Sequence, residues 1–357
     1  MTTGKKVLVA MSGGVDSSVA ALLLKEQGYK ITGVTMCLGV QETEGEKPRC
    51  CGPNAVEDAR HVCDRLGIPH YVFDYAVDLE AQVIGPFIAD YARGWTPNPC
   101  VNCNRHLKFG TLLNKAKAMG FDYLATGHYA GIDPEGEGFL LKRPRDRRKD
   151  QTYFLYHMVP EKLAFILFPL AAYTKEEVRA MAEKAGLPVA SKQESQDICF
   201  VTQKNYHAFI AGRLPGIRPG WIVDKEGKKL GEHRGIVFHT IGQRGGLGIS
   251  HKTPLYVVAI DVTGNRVVVG EKTDLQARCL IAGDLNILVR DWPEKVCAKI
   301  RYRKREAACT AVFEKDKLRV LFDEDQEAIT PGQSVVFYDG DVVLGGGVIE
   351  EVIRGTH

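Results

Sequence analysis

The chain has 357 residues, of which 45% are hydrophobic and 25% are charged, and its formal net charge is +3. This length exceeds one average domain and allows a large core, and the composition is typical of folded globular proteins rather than disordered ones. The longest apolar run, around residues 163–172, contains Pro169 and is too short to cross a bilayer, so we expect no membrane contact. Lys5 and Lys6 lead directly into the first apolar stretch without the pattern of an export signal, so we expect a cytoplasmic protein.

The first predicted elements are a strand, a tight turn and a helix. Residues 7–11 are apolar, the sequence SGGVDSS follows at residues 12–18, and the apolar residues after it recur at helical spacing. A glycine-rich turn before a helix exposes main-chain N–H groups, and the helix dipole adds positive potential, so this loop is expected to bind phosphate. It lacks the Gly-Lys-Ser/Thr ending of a Walker loop.

Predicted strands and helices alternate as far as about residue 200. The segments KVLVA, ITGVTM, HYVFDY and YLATGHYA are predicted strands, and helical patterns separate them. This alternation predicts an α/β domain over residues 1–200, with a parallel sheet covered on both faces and ligands at the carboxyl ends of its strands.

The remainder of the chain has glycine-rich turns and short strands. Segments such as DVTGNRVVV and FYDGDVVLGGGVI carry Gly or Asp-Gly at hairpin turn positions. We therefore predict a small β-rich central domain at residues 201–278 and a C-terminal β-barrel at residues 279–357.

Ten cysteines are present, and in a cytosolic chain they are expected to be thiols, metal ligands or redox groups rather than structural disulfides. Cys100 and Cys103 lie in TPNPCVNC just before a predicted helix, where a low thiol pKa is favoured. Cys199 lies much further along, in SQDICFV. Basic residues crowd residues 142–149 and 301–305, which suits a phosphate backbone as partner, although clustered cations on a solvated surface are the alternative.

The motifs carry a family resemblance. SGGVDSS resembles the PP-loop of ATP pyrophosphatases, which split ATP into AMP and pyrophosphate. Together with TPNPCVNCN, TGHYA, KDQTYFL and HTIGQRGGLGI, it makes the chain resemble the tRNA-specific 2-thiouridylase family, named MnmA in bacteria, from Lys6 to about Glu350. The resemblance implies an α/β PP-loop ATPase domain of the adenine nucleotide alpha hydrolase type, with ATP and Mg²⁺ as cofactors.

The implied reaction is sulfur transfer to the wobble uridine of tRNAs for Lys, Glu and Gln. ATP adenylates the uracil O2, a cysteine persulfide then attacks C2, and AMP departs, which agrees with the chemical need for both an activated oxygen and a sulfur nucleophile. Cys199 matches the persulfide-carrying cysteine, and Cys103 matches the second catalytic cysteine, which releases the sulfur or forms a transient disulfide with Cys199. The implied sulfur donor is a cysteine desulfurase or a sulfur-relay protein.

The resemblance also implies the nucleotide site. The loop would cradle the β and γ phosphates, Asp16 would hold Mg²⁺ or fix the loop, Met36 would pack against adenine, and Gly127 would let the nucleotide approach the backbone closely. For Met36, a core methionine is the competing interpretation. The implied ATP-binding residues are Ala10, Met11, Ser12, Gly13, Gly14, Val15, Asp16, Ser17, Met36 and Gly127.

The implied tRNA contacts fall into three groups. Asn98, Pro99 and Cys100 would wall the pocket that receives the extruded uracil. His128 would face the tRNA. Further contacts are implied at Lys149, Asp150, Gln151, Arg301, Tyr302 and Gln333.

One position departs from the family pattern and leaves two mechanisms open. Many members carry Asp where this chain has Cys100, and a thiol cannot simply take over the acid/base role assigned to that Asp. A second hypothesis is that Cys100, Cys103 and Cys199 ligate three irons of a 4Fe-4S cluster whose open site delivers sulfide. Two other functions are also considered: a PP-loop amide ligase acting on a small metabolite, and a non-catalytic RNA-binding or cluster-carrying module.

Overall fold

A computed structural model describes residues 4–39, 55–193, 198–201 and 206–354. The chain forms two compact units, which we treat separately. The first consists of Met1–Val83, Cys100–Lys204 and Asp341–Val343, and the second of Ile84–Pro99, Asn205–Gly340 and Leu344–His357. Both predicted β domains fall almost wholly within the second unit, and the division of the chain into three domains stays a prediction. None of the helices in the described ranges has the length and apolar character needed to cross a membrane.

The α-helices are α1 (Val15–Glu26), α2 (Ala55–Leu66), α3 (Ala76–Leu79), α4 (Gly85–Ala92), α5 (Pro99–Asn102), α6 (Leu113–Ala118), α7 (Lys175–Lys184) and α8 (Tyr206–Ala211). Two π-helical segments, Glu80–Ile84 and Cys103–Leu112, join neighbouring helices, so residues 76–92 and 99–118 are each continuously helical. Short 3₁₀ turns occur at Arg147–Lys149, Thr152–Phe154, Pro160–Phe165, Ile236–Phe238 and Lys272–Leu275.

The strands are β1 (Lys6–Ala10), β2 (Lys30–Cys37), β3 (His70–Asp74), β4 (Tyr123–Thr126), β5 (Gly131–Glu135), β6 (Gly138–Lys142), β7 (Ile166–Leu167), β8 (Gly220–Val223), β9 (Lys229–His233), β10 (Tyr256–Asp261), β11 (Arg266–Gly270), β12 (Gln276–Ile287), β13 (Lys295–Lys299), β14 (Ala307–Glu314), β15 (Lys317–Glu327), β16 (Ser334–Asp339) and β17 (Val342–Ile353).

The first unit is built on a parallel sheet with the strand order β3-β2-β1-β4-β7. Val7 and Val9 of the central strand β1 pack with apolar residues of α1, α2 and α7, whereas the neighbouring Leu8 is equally buried. Successive side chains of a strand point to opposite faces, so β1 is apolar throughout because both faces of the sheet are covered. The predicted α/β architecture is confirmed, and the carboxyl ends of β1, β2 and β4 lie along one edge of this sheet.

The second unit is mainly β structure. Strands β8 to β11 form a sheet in the order β10-β11-β8-β9. Among the described residues, β12, β15, β14, β13, β16 and β17 follow one another around a closed barrel, because β12 pairs with both β15 and β17. The predicted turn at Asp339-Gly340 does join two neighbouring strands of this barrel, and Gly340 has the positive φ (54°) that such turns require. The predicted β-rich character and the C-terminal barrel are confirmed.

Candidate active site

The predicted phosphate loop lies between β1 and α1 at the carboxyl edge of the parallel sheet. Gly13 has a φ of 68°, and a Cβ there would lie 2.4 Å from the main-chain oxygen of Ala55, so only glycine fits against the start of α2. Within the described residues, no side chain caps the N-terminus of α1 at Gly14. The first N–H groups of the helix therefore remain available to an anion.

Hydroxyl groups and one lysine hold the loop in shape. Ser12 N donates to Ser17 Oγ at 3.2 Å, and the hydroxyls of Ser17 and Ser18 donate to the main-chain oxygen of Gly14 at 3.1 and 2.8 Å. Lys192 Nζ donates to the main-chain oxygen of Gly13 at 2.9 Å. Lys192 Nζ also donates to Asp58 Oδ2 at 2.5 Å. The serines of the motif thus support the loop geometry, and the lysine joins the loop to a carboxylate of α2.

Asp16, in the first turn of α1, is held by two partners from elsewhere in the same unit. Lys175 Nζ lies 2.6 Å from its Oδ1 atom, and the Tyr129 hydroxyl donates to the same oxygen at 3.0 Å. Lys175 and Tyr129 are buried. Of the two roles expected for Asp16, these contacts favour fixing the loop.

Met36 and Gly127 lie where strands beside β1 end. Met36 is near the end of β2, and Gly127 directly follows β4. A Cβ at Gly127 would lie 2.6 Å from the main-chain carbon of Asp16 and from the main-chain nitrogen of Ser17. Residue 127 must therefore be glycine because the chain just after β4 contacts the first turn of α1. The sequence did not indicate this contact.

His128 contacts both the end of β4 and the helical stretch at residues 99–118, which contains Cys100 and Cys103. Its Nδ1 atom lies 2.7 Å from Thr126 Oγ1, and its ring packs against Phe109 and Phe168 at centroid distances of 5.9 Å each. Burial, assisted by the positive charge of Lys108, holds the pKa of His128 well below its ordinary value. His128 is thus neutral at physiological pH, and its ring can exchange hydrogen bonds without carrying charge.

Cys100 and Cys103 lie in one continuous helical stretch, with Cys100 in α5 and Cys103 at the start of the π-helical segment. Cys100 is exposed to solvent, yet desolvation raises the pKa of its thiol to about 11, with Cys103 adding to the rise and Lys108 opposing it. The exposure and the raised pKa of Cys100 agree if solvent reaches its sulfur from one side and protein atoms surround the other sides. Desolvation also raises the pKa of Cys103, again against the effect of Lys108. The predicted low thiol pKa is therefore wrong for both residues, because loss of hydration outweighs the nearby positive charge.

The segment just before the cysteines, residues 96–99, is anchored to the barrel within the second unit. Gln333 Nε2 donates to the main-chain oxygen of Thr96 at 2.8 Å and to that of Pro97 at 3.4 Å. Thr96 N donates in turn to the main-chain oxygen of Pro331 at 2.9 Å. Gln333, which the resemblance implied as a tRNA contact, is thus engaged with the chain that leads to Asn98 and Pro99.

The other barrel residues are partly engaged as well. Arg301 donates to the main-chain oxygen of Ile241 at 3.0 Å and to Thr330 Oγ1 at 2.5 Å. The ring of Tyr302 lies 5.7 Å from Lys299 Nζ. Both side chains are half-buried, so part of their surface is open to solvent.

The basic run 142–149 is largely neutralised by carboxylates of its own unit. The pairs are Lys142 with Asp133 at 3.0 Å, Arg145 with Glu177 at 2.7 Å, Arg148 with Glu176 at 2.9 Å, and Arg147 with Asp341. Nearby, Asp150 is buried and accepts from Thr152 N at 2.9 Å, and Gln151 Oε1 accepts from Tyr129 N at 2.8 Å. Lys149 ends the 3₁₀ turn and is half-buried. The run therefore offers less unpaired positive charge than its composition suggests.

Comparison with known proteins gives a family for the whole chain. Residues 5–203 match the model described as the tRNA methyl transferase HUP domain, residues 207–271 the tRNA methyl transferase PRC-barrel domain, and residues 277–349 the aminomethyltransferase beta-barrel domain. The chain is 59% identical over 350 residues to tRNA-specific 2-thiouridylase MnmA 1 of Syntrophus aciditrophicus, which covers 98% of this chain and 94% of the relative. The chain belongs to the tRNA-specific 2-thiouridylase family.

Other members of the thiouridylase family are similar over the same span. The MnmA of Moorella thermoacetica is 52% identical over 359 residues, which cover 97% of this chain and all of the relative. A solved 4-thiouridine synthetase–RNA complex with bound ATP is 17% identical, covers 59% of this chain and 51% of that chain, and has a TM-score of 0.35.

The described cysteines of this thiouridylase family member do not form a metal site. No group of three His, Cys, Asp or Glu side chains within residues 4–39, 55–193, 198–201 and 206–354 is placed to hold a metal ion. Cys199 lies exposed in the turn at residues 198–201. The donor set in this conformation does not fit the 4Fe-4S cluster. Cys37, at the end of β2, is disulfide-bonded, which departs from the expectation of no structural disulfides.

Three lysines near the thiouridylase site were not found from the sequence: Lys108, Lys175 and Lys192. For Lys175 a signal existed, because it occupies the first turn of α7 after a capping box formed by Thr174 and Glu177. A cation in the first turn opposes the helix dipole, so a lysine there needs a separate explanation. Lys192 and Lys108 offer no such signal, since each is near its partners only after the chain folds.

Proposed function

We propose that this member of the thiouridylase family forms 2-thiouridine at the wobble position of tRNAs for Lys, Glu and Gln. The domain descriptions name methyl transfer, whereas the relatives with high identity are named for thiolation. One observation favours thiolation. Gly127 touches the first turn of α1, and the next residue, His128, packs against Phe109 in the helical segment that begins with Cys103. A short series of contacts thus links the nucleotide loop to a sulfur-bearing segment.

The first chemical step is activation of the uracil. The C2 oxygen attacks the α-phosphorus of ATP, pyrophosphate leaves, and the oxygen becomes part of an adenylate. The loop at residues 12–18 supports this step, because its open helix N-terminus suits the leaving phosphates. Mg²⁺ bound with ATP would further neutralise the phosphate charge.

The second step is delivery of sulfur. The terminal sulfur of a persulfide on Cys199 attacks C2, and AMP leaves with the original oxygen. Cys103 then attacks the Cys199 sulfur, which releases the thiolated base and leaves a disulfide between the two cysteines. A thiol reductant regenerates both cysteines. The exposed position of Cys199 suits loading by a separate sulfur donor, either a cysteine desulfurase or a sulfur-relay protein.

Cys100 has a different role from the Asp found in many relatives. With a pKa of about 11 its thiol stays protonated at neutral pH. It can therefore donate a weak hydrogen bond to the uracil but cannot act as a base. We assign Cys100, Asn98 and Pro99 to the wall of the base pocket. We also assign tRNA contacts to His128, Lys149, Asp150, Gln151, Arg301, Tyr302 and Gln333.

The test is reconstitution with tRNA that lacks 2-thiouridine. Purified protein is incubated with ATP, Mg²⁺ and a persulfide donor, and nucleosides are measured by mass spectrometry together with AMP. The expected result is one 2-thiouridine and one AMP per tRNA modified. Cys103→Ser and Cys199→Ser should abolish thiolation, whereas Cys297→Ser, in strand β13 of the barrel, should retain it.

The alternatives give different results in the same assay. A PP-loop amide ligase would form AMP with an amino acid or another small metabolite and without tRNA. Iron bound to anaerobically purified protein, lost in Cys100→Ser together with thiolation, would favour the cluster over the persulfide. Absence of 2-thiouridine from the wild-type reaction under every donor condition would contradict the proposed function.

A further inference from the structure

A cavity of about 370 Å³ lies in the second unit, away from the phosphate loop. Its walls come from one short stretch of chain, residues 244–255, which precedes β10. This stretch contains most of the glycine-rich motif HTIGQRGGLGI, to which neither the nucleotide loop nor the cysteines assign a purpose.

The charge of the pocket favours an anion. Arg244 and Lys252 line it together with His251, and none of its lining residues, all of them described, is acidic. The surrounding sequence shows the same bias, since no acidic residue occurs between Glu232 and Asp261. Unlike most cations of the basic run at residues 142–149, neither Arg244 nor Lys252 forms an ion pair with a carboxylate of the described residues.

The pocket is built on a well-supported loop. Gln243 Oε1 accepts from Thr240 N at 3.1 Å, and Gln243 Nε2 donates to the main-chain oxygen of Gly245 at 2.9 Å. Leu247 is buried, and Ile249 packs so closely over Gly231 that a Cβ there would lie 2.6 Å from its Cγ2 atom. The cations therefore project from a shaped surface, which reduces the entropy lost on binding.

The glycines of this stretch differ in the reason for being glycine. Gly246 and Gly248 have φ values of 76° and 66°, so their backbone conformation explains why they are glycines. Gly245 is different, because its φ is not positive and a Cβ added there would meet none of the described atoms within 4 Å. Neither strain nor packing against the described atoms requires glycine at residue 245, which does not itself line the cavity but lies between the lining residues Arg244 and Gly246. A strand bound across those two residues would approach the backbone of Gly245.

We propose that residues 244–255 bind the phosphodiester backbone of the substrate RNA, with Arg244 and Lys252 each contacting a phosphate. The pocket is open, and its basic side chains Arg244 and Lys252 are exposed, which suits a continuous RNA strand better than an enclosed small molecule. This inference rests on the proposed function for its substrate class. It assigns the central β-rich region a share of tRNA affinity that is independent of the chemistry at the cysteines.

The test compares two double variants with matched charge loss. Arg244→Ala/Lys252→Ala removes the proposed contacts, and Arg218→Ala/Lys228→Ala removes one arginine and one lysine exposed elsewhere in the same region. Binding of unmodified tRNA is measured without ATP over a range of salt concentrations. Loss of two phosphate contacts should weaken binding roughly tenfold at low salt and reduce the slope of log K against log salt by about 1.4 to 1.8.

Gly245→Ala gives a second measurement that does not depend on charge. Its thermal unfolding should match wild type, because the new methyl group has space, but its tRNA affinity should fall severalfold. Identical tRNA binding by the 244/252 and 218/228 variants, in affinity and salt slope, would overturn the inference. So would a loss of ATP binding with tRNA binding intact, which would make the pocket a mononucleotide site. Failure of the wild type to thiolate tRNA is a separate outcome and would count against the proposed function instead.

Discussion

Lys175 Nζ lies 2.6 Å from Asp16 Oδ1, which joins the first turn of α7 to the first turn of the helix that follows the phosphate loop. The lysine side chain is 7% exposed and the aspartate side chain 31% exposed. A cation in a helix's first turn is unfavourable on its own, so the contact with Asp16 accounts for its presence. We infer that Lys175 positions Asp16 and with it the loop.

Replacement of Lys175 by methionine should therefore weaken ATP use more than it weakens tRNA binding. Removing one partner of a largely buried ion pair should also lower the free energy of unfolding by about 2 kcal/mol, less than for a fully buried pair because Asp16 is partly hydrated. Pyrophosphate release gives KM for ATP and kcat, and tRNA binding is measured separately. Lys184→Met, at the exposed end of the same helix, is the control. If ATP kinetics are unchanged in Lys175→Met, the positioning role is wrong.

Gln333→Met should impair the tRNA reaction by loosening the segment before the base pocket. The substitution keeps the side-chain length but removes the amide that donates to the main-chain oxygens of Thr96 and Pro97. Loss of these bonds should cost about 1 kcal/mol, which corresponds to a roughly fivefold lower kcat/KM for tRNA with KM for ATP unchanged. Gln276→Met, at the start of β12, controls for loss of an amide elsewhere in the barrel. An equal fall in kcat/KM for tRNA in both variants would contradict this role of Gln333.

Cys100 should react slowly with alkylating agents at neutral pH despite its exposure. The thiolate is the reactive form, and desolvation raises the pKa of this thiol to about 11, so the alkylation rate should climb as the pH rises towards 11. Lys108→Met should slow the reaction further, because it removes a positive charge that opposes the rise. Peptide mass spectrometry after timed iodoacetamide treatment separates Cys100 from the other cysteines. Fast alkylation at pH 7 would contradict the protonated state assigned to Cys100.

Acid should destabilise the second unit through a pair of buried histidines. His233 and His239 are buried with ring centroids 5.7 Å apart, and burial, with the nearby His233 and His207, lowers the pKa of His239 to about 4. The unfolded chain binds this proton near pH 6.5 and the folded chain only near pH 4, so stability is complete above 6.5 and is lost as the pH falls through this window.

Protonation of His239 should lower the free energy of unfolding by at most about 3 kcal/mol at pH 4. Chemical denaturation at pH 7.5, 6, 5 and 4.5 measures it. His239→Gln should make the pH dependence shallower, whereas His61→Gln, exposed on α2, should leave it unchanged. A wild-type profile that is flat between pH 6.5 and 4.5 would contradict the neutral buried state.

Local patterns in the sequence predicted most of the fold. The apolar stretch before SGGVDSS and the helical spacing after it are each readable over a few residues, because strands and helices repeat at 2 and 3.6 residues. Asp339-Gly340 likewise predicted a turn between barrel strands, since few residue pairs adopt that backbone conformation. These features depend on near neighbours in the chain, and the structure agrees with them.

The sequence by itself determined the phosphate loop, the order of strands and helices, and the residue types available for sulfur chemistry. Only the tertiary structure decided what those side chains meet. It neutralised most of the cations at residues 142–149 with carboxylates, raised the thiol pKa values of Cys100 and Cys103, and brought Lys175 to Asp16 across 159 residues. Pairing and desolvation depend on atoms that are distant in the chain, so composition can list the charges but cannot say which of them remain exposed.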